Sequence, residues 1–154
     1  MTRLLVVILL TAACAGVSPR AQLVQTHQGI QTLLASVDDA ERIVCFGSTT
    51  LPSDPTRCST PAAQTAGLTD ARHRAISRAF VKAFDAQIAL GAAIAVWQYG
   101  QAMDVSLLES AVAEIDAQLA GMNIAIPALA PMFRRLVEWK AEIARFRLLF
   151  GGVS

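Results

Sequence analysis

The chain has 154 residues, 54% of them hydrophobic and 16% charged, with 13 Lys and Arg against 12 Asp and Glu for a net charge of +1. That length suits one domain with a real core and is too short for two comfortable ones, and the near-balance of charge gives no general attraction to nucleic acid. Prominent alanine among the apolar residues predicts small side chains packed closely between helices, under a surface thinly charged for a free monomer, which a membrane tether or a partner would relieve.

The chain opens with Arg3 and the apolar stretch LLVVILLTAACAG over 4–16; no further charge comes before Arg20. Gly16, Ser18 and Pro19 break the run, and it falls short of the roughly 20 apolar residues that a transmembrane helix needs. A basic start, an apolar segment over 4–10 and then small residues have the order of a signal peptide. Leu10, Thr11, Ala12, Ala13 and Cys14 resemble the signal of bacterial lipoproteins, with Thr11 where an aliphatic residue is usual. The resemblance covers only residues 1–15. It implies that 1–13 are removed, that the Cys14 thiol carries a diacylglycerol, and that the new amino group is acylated. It also implies sorting to the outer membrane, since Ala15 stands where an Asp tends to retain such proteins in the inner membrane. Several acyl chains matter because each buried methylene contributes about 0.8 kcal/mol and one chain alone binds reversibly. The competing readings are ordinary secretion with cleavage near Ala13 or Ala15, and a retained apolar segment.

Residues 14–20 read as a short lipid-attached tether and 21–154 as one helical domain. In AQLVQTHQGIQTLLASVDDAERIV, Leu23, Ile30, Leu33, Leu34, Val37, Ile43 and Val44 recur mostly at helical intervals, predicting a first helix from Ala21 to about Val44 that Gly29 weakens. CFGSTTLPSDPTRC follows, too rich in Gly, Ser, Thr and Pro for regular structure. With Cys14 lipidated, Cys45 and Cys58 remain as an even pair in an oxidising compartment, predicting a disulfide. Free thiols and a metal pair compete with that reading, but the spacing is far from CxxC and no histidine ligands stand beside it.

Thr69 as N-cap and Asp70 in the first turn announce a second helix. Ala75 or Ile76, Ala79 or Phe80, Ala83 or Phe84 and Ile88 form its buried stripe, with Arg74, Arg78, Lys82 and Asp85 on the wetter side. It continues through the nearly all-apolar IALGAAIAVW, read as lying deep in the bundle, and ends near Trp97, Tyr99 and Gly100. A third helix starts at Asp104 or Ser106, the latter spaced from Glu109 as a capping box. It places Leu107 or Leu108, Ala111 or Val112, Ile115 and Leu119 in the core and ends near Gly121. The last begins near Pro127 or Pro131 and buries Met132, Leu136, Ile143 and Phe150. The third helix carries only acidic charges and the fourth mostly basic ones, so the third should sit between the second and fourth. The expected fold is all-α: an antiparallel bundle of four helices, with a disulfide-closed loop between helices one and two.

Little in the sequence prepares chemistry. His27 and His73 stand in no motif, and Arg72 and Arg74 beside His73 disfavour a protonated ring, so both histidines read as solvated or helix-packing residues. Asp38, Asp39 and Glu41 read as solvating the end of helix one. Nucleophile-elbow, zinc-protease, phosphate-loop, dinucleotide and iron-carboxylate patterns are missing. No catalytic residue, cofactor or metal ligand is assigned. The possible interface comprises Trp97, Tyr99, Arg134, Arg135, Trp139, Lys140, Arg145 and Arg147: aromatic rings and basic groups that a partner or an anionic bilayer would meet, although the apolar positions of the last helix are also needed to complete the bundle and a core helix is its preferred reading. These features lead to the expectation of a membrane-tethered, non-catalytic scaffold or binding module of the bacterial envelope. Its partners would be the bilayer through acylated Cys14 and an envelope protein or a second copy, with no nucleic acid. A phage or prophage lipoprotein acting in lysis or superinfection exclusion, and a small envelope hydrolase, are the alternatives.

Overall fold

The computed structural model describes residues 18–99, 101–120 and 127–151. Cys14, the signal segment, the first part of the tether, Gly100 and Gly121 lie outside the described residues. Five α-helices follow in order: α1 (Pro19–Phe46), α2 (Pro61–Ala66), α3 (Asp70–Val96), α4 (Ser106–Leu119) and α5 (Ala130–Phe150). A 3-10 turn, Pro127–Leu129, leads into α5, and no strand occurs among the described residues.

Local chemistry sets the helix boundaries. The α1 helix starts earlier than its apolar pattern suggests: the Ser18 hydroxyl accepts from the Ala21 amide at 3.2 Å, and Pro19 has no amide hydrogen to leave unpaired in the first turn. Thus Pro19 and Arg20, expected in the tether, are helical. Gly47 ends α1 with φ 76°, a left-handed conformation that glycine enters without steric cost, and its N–H donates to Ile43. Thr60 caps the six-residue α2, a helix absent from the sequence expectation, and Thr69 caps α3 as expected. The Ser106–Glu109 capping box does not form. Instead Ser106 is the first residue of α4, and the Asp104 carboxylate accepts from its amide at 2.8 Å.

Helix α1 packs against α3 and α5, and α4 against the same two. The core between them holds Leu23, Ile30, Leu34, Ile76, Leu108, Ile115, Leu136, Trp139 and Phe146. Leu108 faces inward and Leu107 outward, and the four core positions expected of α5 are all buried. The charge pattern orders the neighbours as anticipated. Glu114 of α4 meets Lys82 of α3 at 2.7 Å, while Asp116 and Glu109 of α4 meet Lys140 and Arg147 of α5 at 2.8 and 3.2 Å.

The C-terminal half of α3 departs from the sequence reading. By length and composition the helix could cross a membrane, with a mean hydropathy of 1.6 over its most apolar stretch. Its inner face buries Ala86, Leu90 and Ile94, but Ile88, Ala92 and Val96 face outward, with Ile88 72% exposed. An all-apolar segment therefore covers both a core face and a surface face of one helix, because periodicity cannot tell the two apart when both are apolar. Ile43, expected in the core, is also exposed.

Two ends of the molecule result. At one, the start of α1 meets the end of α3 through a hydrogen bond from Arg20 to the Ala95 carbonyl at 3.0 Å, and Met103 N–H donates to the Phe150 carbonyl at 2.7 Å. At the other end lie Phe46, the cysteine loop and the first turn of α3. The 28 residues of α1 span about 42 Å between them.

Candidate functional site

At the loop end, Glu41 and Cys45 lie one turn apart on the same face of α1, as an i,i+4 spacing requires. His73 enters from the first turn of α3, and the loop brings Pro55 and Cys58. The Cys45–Cys58 disulfide is present as expected, with an S–S distance of 2.06 Å and Cα atoms 4.5 Å apart. Beside it, His73 Nδ1 lies 2.7 Å from Glu41 Oε1 and Nε2 lies 2.8 Å from the Pro55 carbonyl oxygen. Both side chains are buried, and the Phe46 ring meets the imidazole edge-on at 5.2 Å.

A carbonyl only accepts, so Nε2 donates to Pro55 and the remaining proton is held between Nδ1 and the carboxylate. Glu41 as hydrogen-bond acceptor holds the imidazolium above its ordinary value of 6.5; burial opposes it, and Pro55 and Asp70 assist. Of the two readings of His73, helix-packing holds and solvated does not, at 3% exposure. The expected disfavour of a protonated ring is corrected, because Arg72 reaches away to the Gly67 carbonyl at 3.0 Å and Arg74 toward Thr56. Glu41 does not solvate a helix end, at 1% exposure. Next to it, Asp38 pairs with Arg42 at 2.6 Å, and burial raises its carboxyl above the usual range against the pull of that guanidinium.

The pair borders a cleft lined by Asp38, Leu51, Ser77, Phe80 and Phe84. Ser77 lies one turn beyond His73 on α3, which invites comparison with a Ser-His-carboxylate relay. Such a relay needs an imidazole nitrogen free to take the hydroxyl proton. Here Nε2–H is committed to Pro55 and Nδ1 to Glu41, so the ring offers no lone pair to the cleft. In this arrangement the pair ties α1, α3 and the loop together.

His27 belongs elsewhere. Its Nε2 donates to the Gln87 carbonyl at 3.1 Å, and Gln87 Nε2 returns a bond to the His27 carbonyl at 2.9 Å, joining α1 to α3. The expected interface residues divide. Tyr99 is 83% exposed, and Trp97 is half-buried with its indole N–H on the Gln101 carbonyl. Trp139 is a correction: it sits wholly inside the core, on the apolar stripe of α5, and presents nothing to a partner. Arg134, Arg135, Lys140, Arg145 and Arg147 are exposed; Arg135 and Arg145 pair within α5, with Glu138 and Glu142.

The sequence reading missed the Glu41–His73 contact. Two signals pointed toward it: Glu41 lies one turn before Cys45, and His73 lies one turn after the predicted cap Thr69, so both fall at the loop end. The fold and this site define a disulfide-stapled, all-helical domain with a buried histidine–carboxylate pair at one end. No protein-family model, curated protein or solved structure matches the chain.

Proposed function

We propose that this chain is a lipoprotein of the bacterial cell envelope, tethered through Cys14 to the outer membrane with its domain in the periplasm, and that it acts there as a non-catalytic scaffold or binding module. In this reading the four long helices form one antiparallel bundle and α2 rides on the disulfide loop. The observation that carries it is where the three most exposed large apolar residues, Leu148, Tyr99 and Val96, lie relative to the tether. Ser18, which caps α1, follows Cys14 by four residues, so the start of α1 stays within about 14 Å of the acylated position. At that same end Pro19, Tyr99, Leu149 and Gly151 surround a common hollow. Val96, Tyr99 and Leu148 are exposed by 77%, 83% and 84%, and the outer face of α3 continues the apolar surface with Ala92 and Ile88. A bilayer held that close supplies the cover this surface lacks, and Trp97 and Tyr99 suit its interface, where amphipathic rings concentrate. The non-catalytic part of the reading draws support from the imidazole of His73, both of whose nitrogens are engaged.

The test is depth-dependent quenching in vesicles of the acylated protein. In a Trp139→Phe background Trp97 is the remaining tryptophan. Nitroxide lipids labelled near the headgroup should quench its emission strongly. Emission unchanged by the nitroxide, with the protein bound to the vesicles, would contradict apposition of this end to the bilayer.

A further inference from the structure

The geometry points to a metal site formed by Cys45, Cys58, His73 and Glu41 when the disulfide is opened, suited to Zn2+ or another dication that favours nitrogen and sulfur. One donor atom from each residue, two Sγ, a His73 ring nitrogen and a Glu41 carboxylate oxygen, already lies within 4.8 Å of all the others. A tetrahedral zinc site with bonds of about 2.0–2.3 Å has donor-to-donor edges of roughly 3.3–3.8 Å, so the widest separation must close by about 1 Å and the two sulfurs, 2.06 Å apart as a disulfide, must part by roughly 1.7 Å once the bond is opened. Two thiolates and an imidazole select Zn2+ over Mg2+ or Ca2+, which prefer all-oxygen shells.

The surroundings prepare the ligands. The Pro55 carbonyl fixes Nε2 as the protonated nitrogen, which leaves Nδ1, 2.7 Å from Glu41 Oε1, as the ligating atom. The loop does not depend on the disulfide alone for its position. Cys58 N–H donates to the Asp70 carboxylate at 3.1 Å, and Ser59 and Thr60 amides donate to the Cys45 carbonyl at 2.9 and 3.3 Å. The Thr60 hydroxyl also donates to the Val44 carbonyl. These bonds keep Cys58 beside Cys45 after reduction.

A dithiol reductant transfers two electrons and two protons to the Cys45–Cys58 bond, becoming a disulfide itself and leaving two thiols. The dication then displaces both thiol protons and the proton held between Nδ1 and Glu41. Metal thus takes over in the reduced chain the cross-link that the sulfur–sulfur bond supplies in the oxidised one.

The test uses the full chain carrying Cys14→Ser, so that Cys45 and Cys58 are its only thiols, and it is independent of the lipoprotein reading. Reduced without oxygen and titrated with Co2+, it should bind one ion per chain, with a thiolate-to-metal charge-transfer band and the visible bands of tetrahedral cobalt, all displaced by Zn2+. The oxidised chain should bind none. In competition with a chromophoric chelator, Glu41→Gln should weaken Zn2+ binding at least about tenfold. A reduced chain without the charge-transfer band, or an oxidised chain that binds equally well, overturns the site; a folded Glu41→Gln variant with unchanged affinity removes Glu41 from it. Should that variant lose its helical circular dichroism, the comparison of reduced and oxidised parent chain decides.

Discussion

Truncating Glu41 should expose how much the buried pair contributes and reverse its pH dependence. In Glu41→Ala, His73 keeps its bond to Pro55 but loses the carboxylate 2.7 Å from Nδ1, at a position where both side chains are at most 4% exposed. Removing one partner of such a pair costs about 3–5 kcal/mol, a large part of a total stability of order 10 kcal/mol. Glu41→Gln should cost less, about 1–3 kcal/mol, because its amide can donate to a neutral Nδ1 while Nε2–H stays on Pro55. The sign with pH follows from the raised folded value of His73. The pair's contribution is complete below the unfolded value near 6.5 and is lost as pH rises through the higher folded value, where the ring would turn a lone pair toward the carboxylate. In Glu41→Gln the buried imidazolium has no counter-charge, so this fall should flatten or reverse. Urea unfolding of the oxidised proteins at a series of pH values measures both effects. Parallel stability profiles for the parent and Glu41→Gln would refute the assignment of the pair as an imidazolium held by Glu41.

Three further substitutions separate other terms. Cys58→Ser opens a cross-link between residues 13 apart and should cost about 3 kcal/mol in urea unfolding without reductant; a loss below about 1 kcal/mol would mean that the loop's hydrogen bonds already restrict the chain. Gly29→Ala should stabilise α1 by about 0.5–1 kcal/mol, since a Cβ there meets Glu142 Oε1 at an ordinary 3.5 Å, whereas at Gly91 it would meet His27 at 3.3 Å and gain less. Thermal melts of the two variants test that ordering. Lys140→Ala removes an exposed pair with Asp116 and should cost under about 1 kcal/mol; a larger loss, measured by urea unfolding, would show the α4–α5 charges to be stabilising beyond neighbour choice.

Features set by local rules were legible in the sequence. The Thr69 cap follows from residue type, and the Ile115 and Leu119 edge and the stripe of Met132, Leu136, Ile143 and Phe150 follow from spacing, which left Leu107 and Leu108 as alternatives. The opposite charges of α4 and α5 marked them as neighbours, and their ion pairs bear this out. Where a segment is apolar all round, spacing loses its phase: Ile88 falls in the predicted stripe yet faces outward, and Trp139, flanked by charges, reads as a surface anchor although it lies on the same face as Leu136 and Ile143. The site was hidden for another reason. His73 and Glu41 are separated by 32 residues, and the arginines that dominate the sequence around His73 turn away from it in the fold. The charges adjacent to His73 in sequence are not those adjacent to it in space, so its shift is upward where the sequence points downward.

The central claim is that Cys14 tethers this domain to a membrane. Intact mass and membrane fractionation of the protein expressed in a diderm bacterium, beside a Cys14→Ser control, test it most directly. The account predicts a mature chain beginning at residue 14 with added acyl mass, found with the membranes, and loss of both the modification and the membrane association in the control. An unmodified parent chain in the soluble periplasmic fraction would contradict it.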